Sequence, residues 1–258
     1  VTIATVSLTD EQRERTLARF QAHRRAWESN AALRELYADW YGRIAAALPP
    51  PELGPRVELG SGPGLAREFI PDLQLTDIVG APWHDREVSA DALPFADGSV
   101  GALVLLDVLH HLIDPGRFFT EAARVLVPGG RIVMCEPYIG PLSYAIYKLF
   151  HVEAVDLTVD PLAPVVVDGG RDPFDSNQAI PSLLFGRHAA RFAAAFPDLR
   201  LVRLEWLSGF SYPASGGFSR RPFLPAPLWS ALHRIESALP PALFRAIGFR
   251  QLAVVERC

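Results

Sequence analysis

The sequence predicts an α/β fold, a doubly wound, mostly parallel sheet with helices on both faces. Three observations lead to it. A strand-like stretch, Arg56-Val57-Glu58-Leu59, runs into the glycine bend Gly60-Ser61-Gly62-Pro63-Gly64 and then into a short helical pattern. Two further strand-length runs, Val100 to Leu106 and Arg131 to Glu136, flank a helical pattern and are joined by short turns. The chain has 258 residues, 49% of them hydrophobic, which is enough for one large α/β domain or two small ones.

In chain order, Thr9-Asp10-Glu11-Gln12 has the spacing of a capping box and opens a helix. Asn30 caps a second helix, where Leu33, Leu36, Tyr37, Trp40, Ile44 and Leu48 form one apolar face that stops at Pro49-Pro50-Pro51. These helices precede the first strand and so pack on the core as a flank or a lid. The first strand, Val57 to Gly60, meets the glycine bend, after which Leu65 to Phe69 reads as helix up to Pro71. The second strand runs from Leu73 to Val79 and ends near Asp77. Ala81 to Asp85 reads as a loop, Asp91 to Phe95 as a short strand and Asp97-Gly98-Ser99 as a turn.

Val100 to Leu106 is almost wholly apolar and reads as a strand buried on both faces. Asp114-Pro115 opens a helix whose buried face is Phe118, Phe119, Ala122, Val125 and Leu126. Pro128-Gly129-Gly130 ends it, and a strand begins at Arg131. Residues 137–197 then break the alternation, with helices at Pro141 to Phe150 and Ser182 to Phe196 around a loop rich in proline, aspartate and valine. An insertion of this size is suited to building a pocket. Leu199 to Leu207 reads as a strand and Gly209 to Pro225 as an aromatic loop. Leu228 to Ile247 reads as an amphipathic helix broken at Pro240-Pro241, and Gln251 to Glu256 as the last strand.

Composition limits the partners. A net charge of -4 and a pI near 6.0 argue against nucleic acid. Cys135 and Cys258, the two cysteines, give neither a disulfide framework nor a cysteine metal site. No apolar run reaches the roughly 18 residues of a membrane span, and the first residues lack the basic start and apolar run of a signal peptide. The expected location is cytoplasmic. The last helix, with Leu228, Trp229, Leu232, Ile235, Leu239 and Leu243, lacks the dense basic side of a membrane-surface helix, so its apolar face is expected in the core.

Four linked segments carry a resemblance. They are Glu58-Leu59-Gly60-Ser61-Gly62-Pro63-Gly64, Asp91-Ala92-Leu93-Pro94-Phe95, Asp107-Val108-Leu109-His110-His111-Leu112 and Arg124-Val125-Leu126-Val127-Pro128-Gly129-Gly130. In order and spacing the chain resembles the class I methyltransferases dependent on S-adenosylmethionine, the small-molecule branch that includes quinone methylases (methyltransferase type 11). The resemblance is strong over about residues 52–137 and weak in the last strands. It implies a Rossmann-like, seven-stranded sheet with an antiparallel last strand, an N-terminal helical lid and a helical insertion. It divides a single domain into N-terminal helices (1–51), a cofactor-binding half (52–136), a substrate insertion (137–197) and C-terminal strands and helix (198–258).

The resemblance also implies S-adenosylmethionine as cofactor, S-adenosylhomocysteine as its product and a small, partly apolar molecule as acceptor. The amides of Gly60, Ser61 and Gly62, with Gly64 baring the bend, suit the amino-acid end, and Glu58 its ammonium. Asp77 suits the ribose hydroxyls, as an acid does in dinucleotide folds; the alternative is a solvated loop acid. Asp91 suits the adenine amino group or else caps a turn, while Ala92 and Leu93 line the ring. Trp83 stacks on adenine or packs in place, and Asp107 lies near the methionine end. Val79-Gly80-Ala81-Pro82 departs from the family's usual pattern after the acid.

Methyl transfer needs alignment and exclusion of water, and a base where the acceptor carries a proton. His111 is the candidate base, or a structural hydrogen-bond donor, and His110 is expected to be structural. Glu136 faces the same crevice. Tyr138, Tyr144, Tyr147 and His151 line the acceptor pocket or simply pack. Asp107, His111 and Glu136 are metal-ligand types, but the carboxylate and amide set of metal-dependent members is absent and no metal is expected. One rival is a nicotinamide oxidoreductase, whose fingerprint needs glycine where Leu65 stands. The other is a binding protein that keeps the cofactor pocket without catalysis.

Overall fold

The computed structural model describes residues 8–150, 154–163 and 175–258. His151 and residues 152, 153 and 164–174 of the loop between the two insertion helices therefore lie outside the described residues. Helix α1 spans Asp10–Ser29, and Thr9 and Gln12 exchange the two hydrogen bonds of a capping box. Helix α2 spans Ala31–Ala47. Its cap, Asn30, accepts from the Leu33 N–H at 3.0 Å and donates to the Ser215 carbonyl at 2.9 Å. One side chain thus starts α2 and ties it to a segment 185 residues away.

The strands are β1 (Arg56–Leu59), β2 (Leu73–Asp77), β3 (Arg86–Glu87), β4 (Val100–Leu106), β5 (Leu126–Pro137), β6 (Leu199–Leu207) and β7 (Arg250–Arg257). They form a seven-stranded sheet in the order β3-β2-β1-β4-β5-β7-β6. Only β7 is antiparallel to its neighbours, β5 and β6. The remaining helices are α3 (Pro115–Val125), α4 (Pro141–Phe150), α5 (Ile180–Ser182), α6 (Ala189–Ala195), α7 (Ser211–Ala214), α8 (Ala226–Ser237) and α9 (Phe244–Ile247).

Each sheet face has its own core. On one, Leu33, Leu36, Trp40 and Ile44 of α2 pack on Leu75, Val104, Val133 and Leu252, together with Trp229 of α8. On the other, Phe118, Phe119 and Ala122 of α3 and Phe192 of α6 pack on Leu59, Leu105, Met134 and Val255. The alternation of apolar residues along β1, β4 and β5 is thus spent on two separate layers.

Four expectations are corrected. Leu65 to Phe69 forms only one tight 3-10 turn, Ala66–Glu68, because the stretch before Pro71 is too short to repay helix nucleation. The third strand is Arg86–Glu87, not Asp91 to Phe95; it pairs Thr76 and Asp77 through backbone alone, with both side chains exposed. β5 begins at Leu126, and Pro128-Gly129-Gly130 is an irregularity within it, with Gly129 at φ 78°. The helix expected over Ser182 to Phe196 is split by a wider π turn at Leu183–Arg187.

Replacing Asn30, which is 5% exposed, by alanine is expected to destabilise the chain by about 1–3 kcal/mol, since a cap and a buried bond are lost together. Urea unfolding of the Asn30→Ala variant measures it.

Candidate active site at the carboxyl edge of the sheet

The glycine bend turns left-handed at Gly60, Gly62 and Gly64, with φ of 67°, 49° and 74°. A Cβ on Gly60 would come within 2.6 Å of Val108 Cγ2, and one on Gly64 within 2.4 Å of Trp83 Cδ1. Glycine is therefore required here by the chain's own packing as well as by φ. The expectation of bare amides is corrected at two positions. Ser61 N–H donates to the Thr76 carbonyl at 2.9 Å, and Gly62 N–H to Asp77 Oδ2 at 2.9 Å. With only one tight turn following, no helix dipole adds to the bend.

The acids are placed at strand ends. Asp77 closes β2, is 6% exposed and accepts from Gly62 at Oδ2 and from Val79 N–H at Oδ1. Burial raises its pKa against the pull of those amides. Glu58 accepts from Tyr41 O–H at 2.8 Å through Oε1, while its buried Oε2 has no partner among the described residues. Burial pushes Glu58 up to about 7, against the hydrogen bond from Tyr41 and with the help of Asp77, while the Ser61 hydroxyl donates to the Glu58 backbone carbonyl at 3.4 Å. Asp91 Oδ1 is likewise buried without a partner among the described residues. Its pKa is raised by burial and opposed by Arg117.

Two desolvated carboxylate oxygens, one on the strand that enters the bend and one beyond β3, thus have no hydrogen-bond partner among the described residues, which is uncommon for buried acceptors. An ammonium and an aromatic amino group are donors of the kind they lack, so these residues fit S-adenosylmethionine at its two ends. Leu93 packs instead into the core beside α3, and its N–H, at 2.9 Å, donates to Glu121; Ala92 pairs with Ser89.

Helix α1 lies over the bend. Phe20 comes within 3.6 Å of where a Gly62 Cβ would sit. Arg24 donates to the Pro63 carbonyl at 2.8 Å and stacks 4.6 Å over Trp83, whose indole N–H donates to the Gly62 carbonyl at 2.8 Å. His84 Nε2 meets the same carbonyl at 2.9 Å, and its Nδ1 accepts from Ala81 N–H. Trp83 therefore packs on the loop backbone between Arg24 and Gly64.

Past β4, Asp107 takes a left-handed φ of 60°. It forms an ion pair with Arg250, which opens β7 and is 1% exposed. Burial opposes the guanidinium charge most strongly, but Asp107 together with Cys135, Tyr212 and Tyr147 outweighs it and the pKa is raised. Arg250 also donates to the Cys135 carbonyl at 3.0 Å and lies 4.6 Å from the Trp40 ring and 5.6 Å from Tyr212. Burial pushes the Cys135 thiol up to about 12, which removes it as a nucleophile.

Glu136 does not face an open crevice. One oxygen accepts from the N–H groups of Val108 and Leu109, both at 2.8 Å, and the other meets His110 Nδ1 at 2.7 Å. It positions the turn that carries Asp107 and His111. His110 is 2% exposed, and its ring centroid lies 4.2 Å from that of half-buried His111. Ligand atoms of Asp107, His110 and Glu136 lie within 4.8 Å of one another, but the two acids already have amide, imidazole and guanidinium partners.

The three described tyrosines of the insertion are dispersed. Tyr138 donates to the Arg245 carbonyl, Tyr144 accepts from Lys148 at the surface, and buried Tyr147 donates to the Phe249 carbonyl. The aromatic cover of the Asp107 end comes from Tyr37, Trp40 and Tyr212 instead. Sequence reading missed Tyr41 and Arg250. A lone cation at the head of an apolar strand was the available signal for Arg250.

Residues 57–134 match the family model described as "Methyltransferase domain". The matched stretch holds the glycine bend and the acids at the ends of the first strands, so this part of the chain carries the sequence of a methyltransferase domain. It is 47% identical over 51 residues to the demethylmenaquinone methyltransferase of Clavibacter sepedonicus, covering 19% of this chain and 21% of that one. It is 34% identical over 82 residues to that of Mycobacterium marinum, covering 29% and 36%. The chain thus spans well under two thirds of the length of these relatives. Among solved structures, geranyl diphosphate C-methyltransferase from Streptomyces coelicolor A3(2) is similar over 88% of this chain and 81% of that one, at 14% identity and a TM-score of 0.48.

Glu58 in the folded chain keeps its proton to about pH 7, against a usual value of 4.5. Between those values the unfolded chain binds fewer protons, so stability falls as pH rises through the window and levels off above it. Glu58→Gln keeps an acceptor for Tyr41 and removes the titration. Its melting temperature is expected to vary less than that of the wild type from about pH 5 to about pH 8, and the variant to be the more stable at the upper end by about 2–3 kcal/mol. Thermal unfolding across that range checks it.

Proposed function

We propose that the chain transfers a methyl group from S-adenosylmethionine to a small, partly apolar acceptor. The observation that carries the reading is the pair of buried carboxylate oxygens without a hydrogen-bond partner among the described residues, Glu58 Oε2 on the strand that enters the glycine bend and Asp91 Oδ1 beyond β3. When bound, the cofactor supplies a methyl made electrophilic by a sulfonium.

The chain's residues divide the remaining work. Glu58 binds the ammonium, which favours its ionised form. Asp91 accepts from the adenine amino group. Asp77 already braces the bend and uses its remaining lone pairs for the ribose hydroxyls. Asp107, held by Arg250, borders the methionine end. Tyr37, Trp40 and Tyr212 form an apolar wall that excludes water and suits an apolar acceptor. His111, on the turn fixed by Glu136, takes the acceptor proton where there is one to lose.

S-adenosylhomocysteine at about a hundred times its Kd is expected to stabilise the fold by roughly 2.7 kcal/mol, while NADH gives no shift. Asp77→Ala should lose most of that shift. His111→Ala should keep it and lose turnover, read as the methylated product by mass spectrometry. A shift with NADH and none with S-adenosylhomocysteine overturns the reading.

A further inference from the structure

From Trp206 to Arg250 the chain holds five arginines and a single acid, Glu236. That acid faces inward: it is 4% exposed and accepts from Ser211 N–H through both oxygens, at 3.1 and 3.2 Å. Arg250 is also buried, in its pair with Asp107. The other four, Arg220, Arg221, Arg234 and Arg245, are exposed. The exposed charges that this segment itself contributes are therefore all basic, with Glu35 of α2 the acid that meets α8, at Ser230, on a chain whose net charge is -4.

The same segment exposes large apolar side chains. Phe223 is 64% exposed, Leu228 59%, Ile235 64%, Phe210 48% and Leu243 42%. Leu228 and Ile235 are seven residues apart on α8 and so share a side, with half-buried Leu232 between them. Trp229 and Glu236, one position further on, are the residues that α8 buries. The expectation that this apolar row lies in the core holds for Trp229 and is corrected for Leu228, Ile235 and Leu243. Clustered apolar exposure of this kind marks an interaction site, whereas isolated exposed leucines do not.

We infer that this face docks on an anionic bilayer surface. Such a surface offers phosphates to Arg220, Arg221 and Arg234 and an acyl boundary to Phe223, Leu228 and Ile235, all of which lie on α8 or within six residues of its start. A second copy of the chain would set the same arginines against each other. A nucleic acid would leave the apolar row unused. Tyr212, next to exposed Phe210, lines the Arg250 end of the crevice, so the docked face stands beside the acceptor side of the site. The docking itself does not depend on the methyl-transfer reading.

The test is flotation of the full chain with vesicles of phosphatidylcholine alone or with about one third phosphatidylglycerol, at low and high salt. Binding is expected only with the anionic lipid and to weaken with salt. The double change Arg220→Ser with Arg221→Ser should lower partitioning roughly 25-fold, at about fivefold for each cation near the surface. Leu228→Ser with Ile235→Ser should abolish it while leaving the melting temperature and the S-adenosylhomocysteine shift unchanged. No binding to the anionic vesicles, or equal binding by both variants, overturns the inference. So does a dimer seen by light scattering without vesicle binding and lost in Leu228→Ser with Ile235→Ser.

Discussion

A full positive charge sits inside this fold, and much of the carboxyl edge is arranged around it. Burying the Arg250 guanidinium is costly unless a counter-charge and hydrogen bonds meet it. Asp107 supplies the charge, and it does so from a left-handed backbone that aspartate tolerates better than most residues. The Cys135 carbonyl takes a second N–H, and the Trp40 ring offers its face. Glu136 then fixes the turn beyond Asp107 by gripping two amides and His110. A cation on β7 thus dictates the path of the chain after β4, and with it the position of His111.

The other half of the edge follows a different rule. The glycine bend is largely self-satisfied, with Asp77 bracing it from β2. What is left over is acceptor capacity on Glu58 and Asp91. Its cover, α1, is anchored lightly: Thr16, Phe20 and Trp27 are its buried residues, against eight in α2. The Arg13–Glu87 pair that ties α1 to β3 is 39% and 46% exposed, a setting in which ion pairs contribute only about 0–1 kcal/mol. Among the elements that border the bend, α1 is therefore the one that local opening releases first.

The sequence was legible where one residue's chemistry decides a local structure. Thr9 with Gln12, Asn30 and Asp114-Pro115 mark helix starts because their side chains bond the first free amides. Val100 to Leu106 reads as a central strand because nothing in it tolerates water. It was illegible where tertiary pairing overrides local pattern. Arg86–Glu87 became a strand only because the neighbouring β2 edge was unpaired there, and Leu126 joined β5 across a bulge that Pro128-Gly129-Gly130 had suggested was a turn. In the site, the acids at strand ends were readable from position alone. The Tyr41 partner of Glu58 and the Arg250 partner of Asp107 were not, since each comes from an element far along the chain.

That contrast separates the two ends of the crevice. The cofactor end is built from segments between residues 57 and 93, close in sequence and set by strand order, so a short motif captures it. The acceptor end is assembled from α2, the turn after β4, α7 and the head of β7, four elements spread over more than 200 residues. Its chemistry is decided by which side chains happen to cover a buried cation. Changes at Tyr37, Trp40 or Tyr212 can alter what fits there without disturbing the bend or its acids. Since α8, which packs on α7 through the bond from Trp229 to the Ser211 carbonyl, carries the exposed Leu228 and Ile235, the stretch that borders this end also meets the surroundings. On the two proposals taken together, acceptor choice and surface binding are coupled through one short stretch of chain, while cofactor recognition at the bend is left free of both.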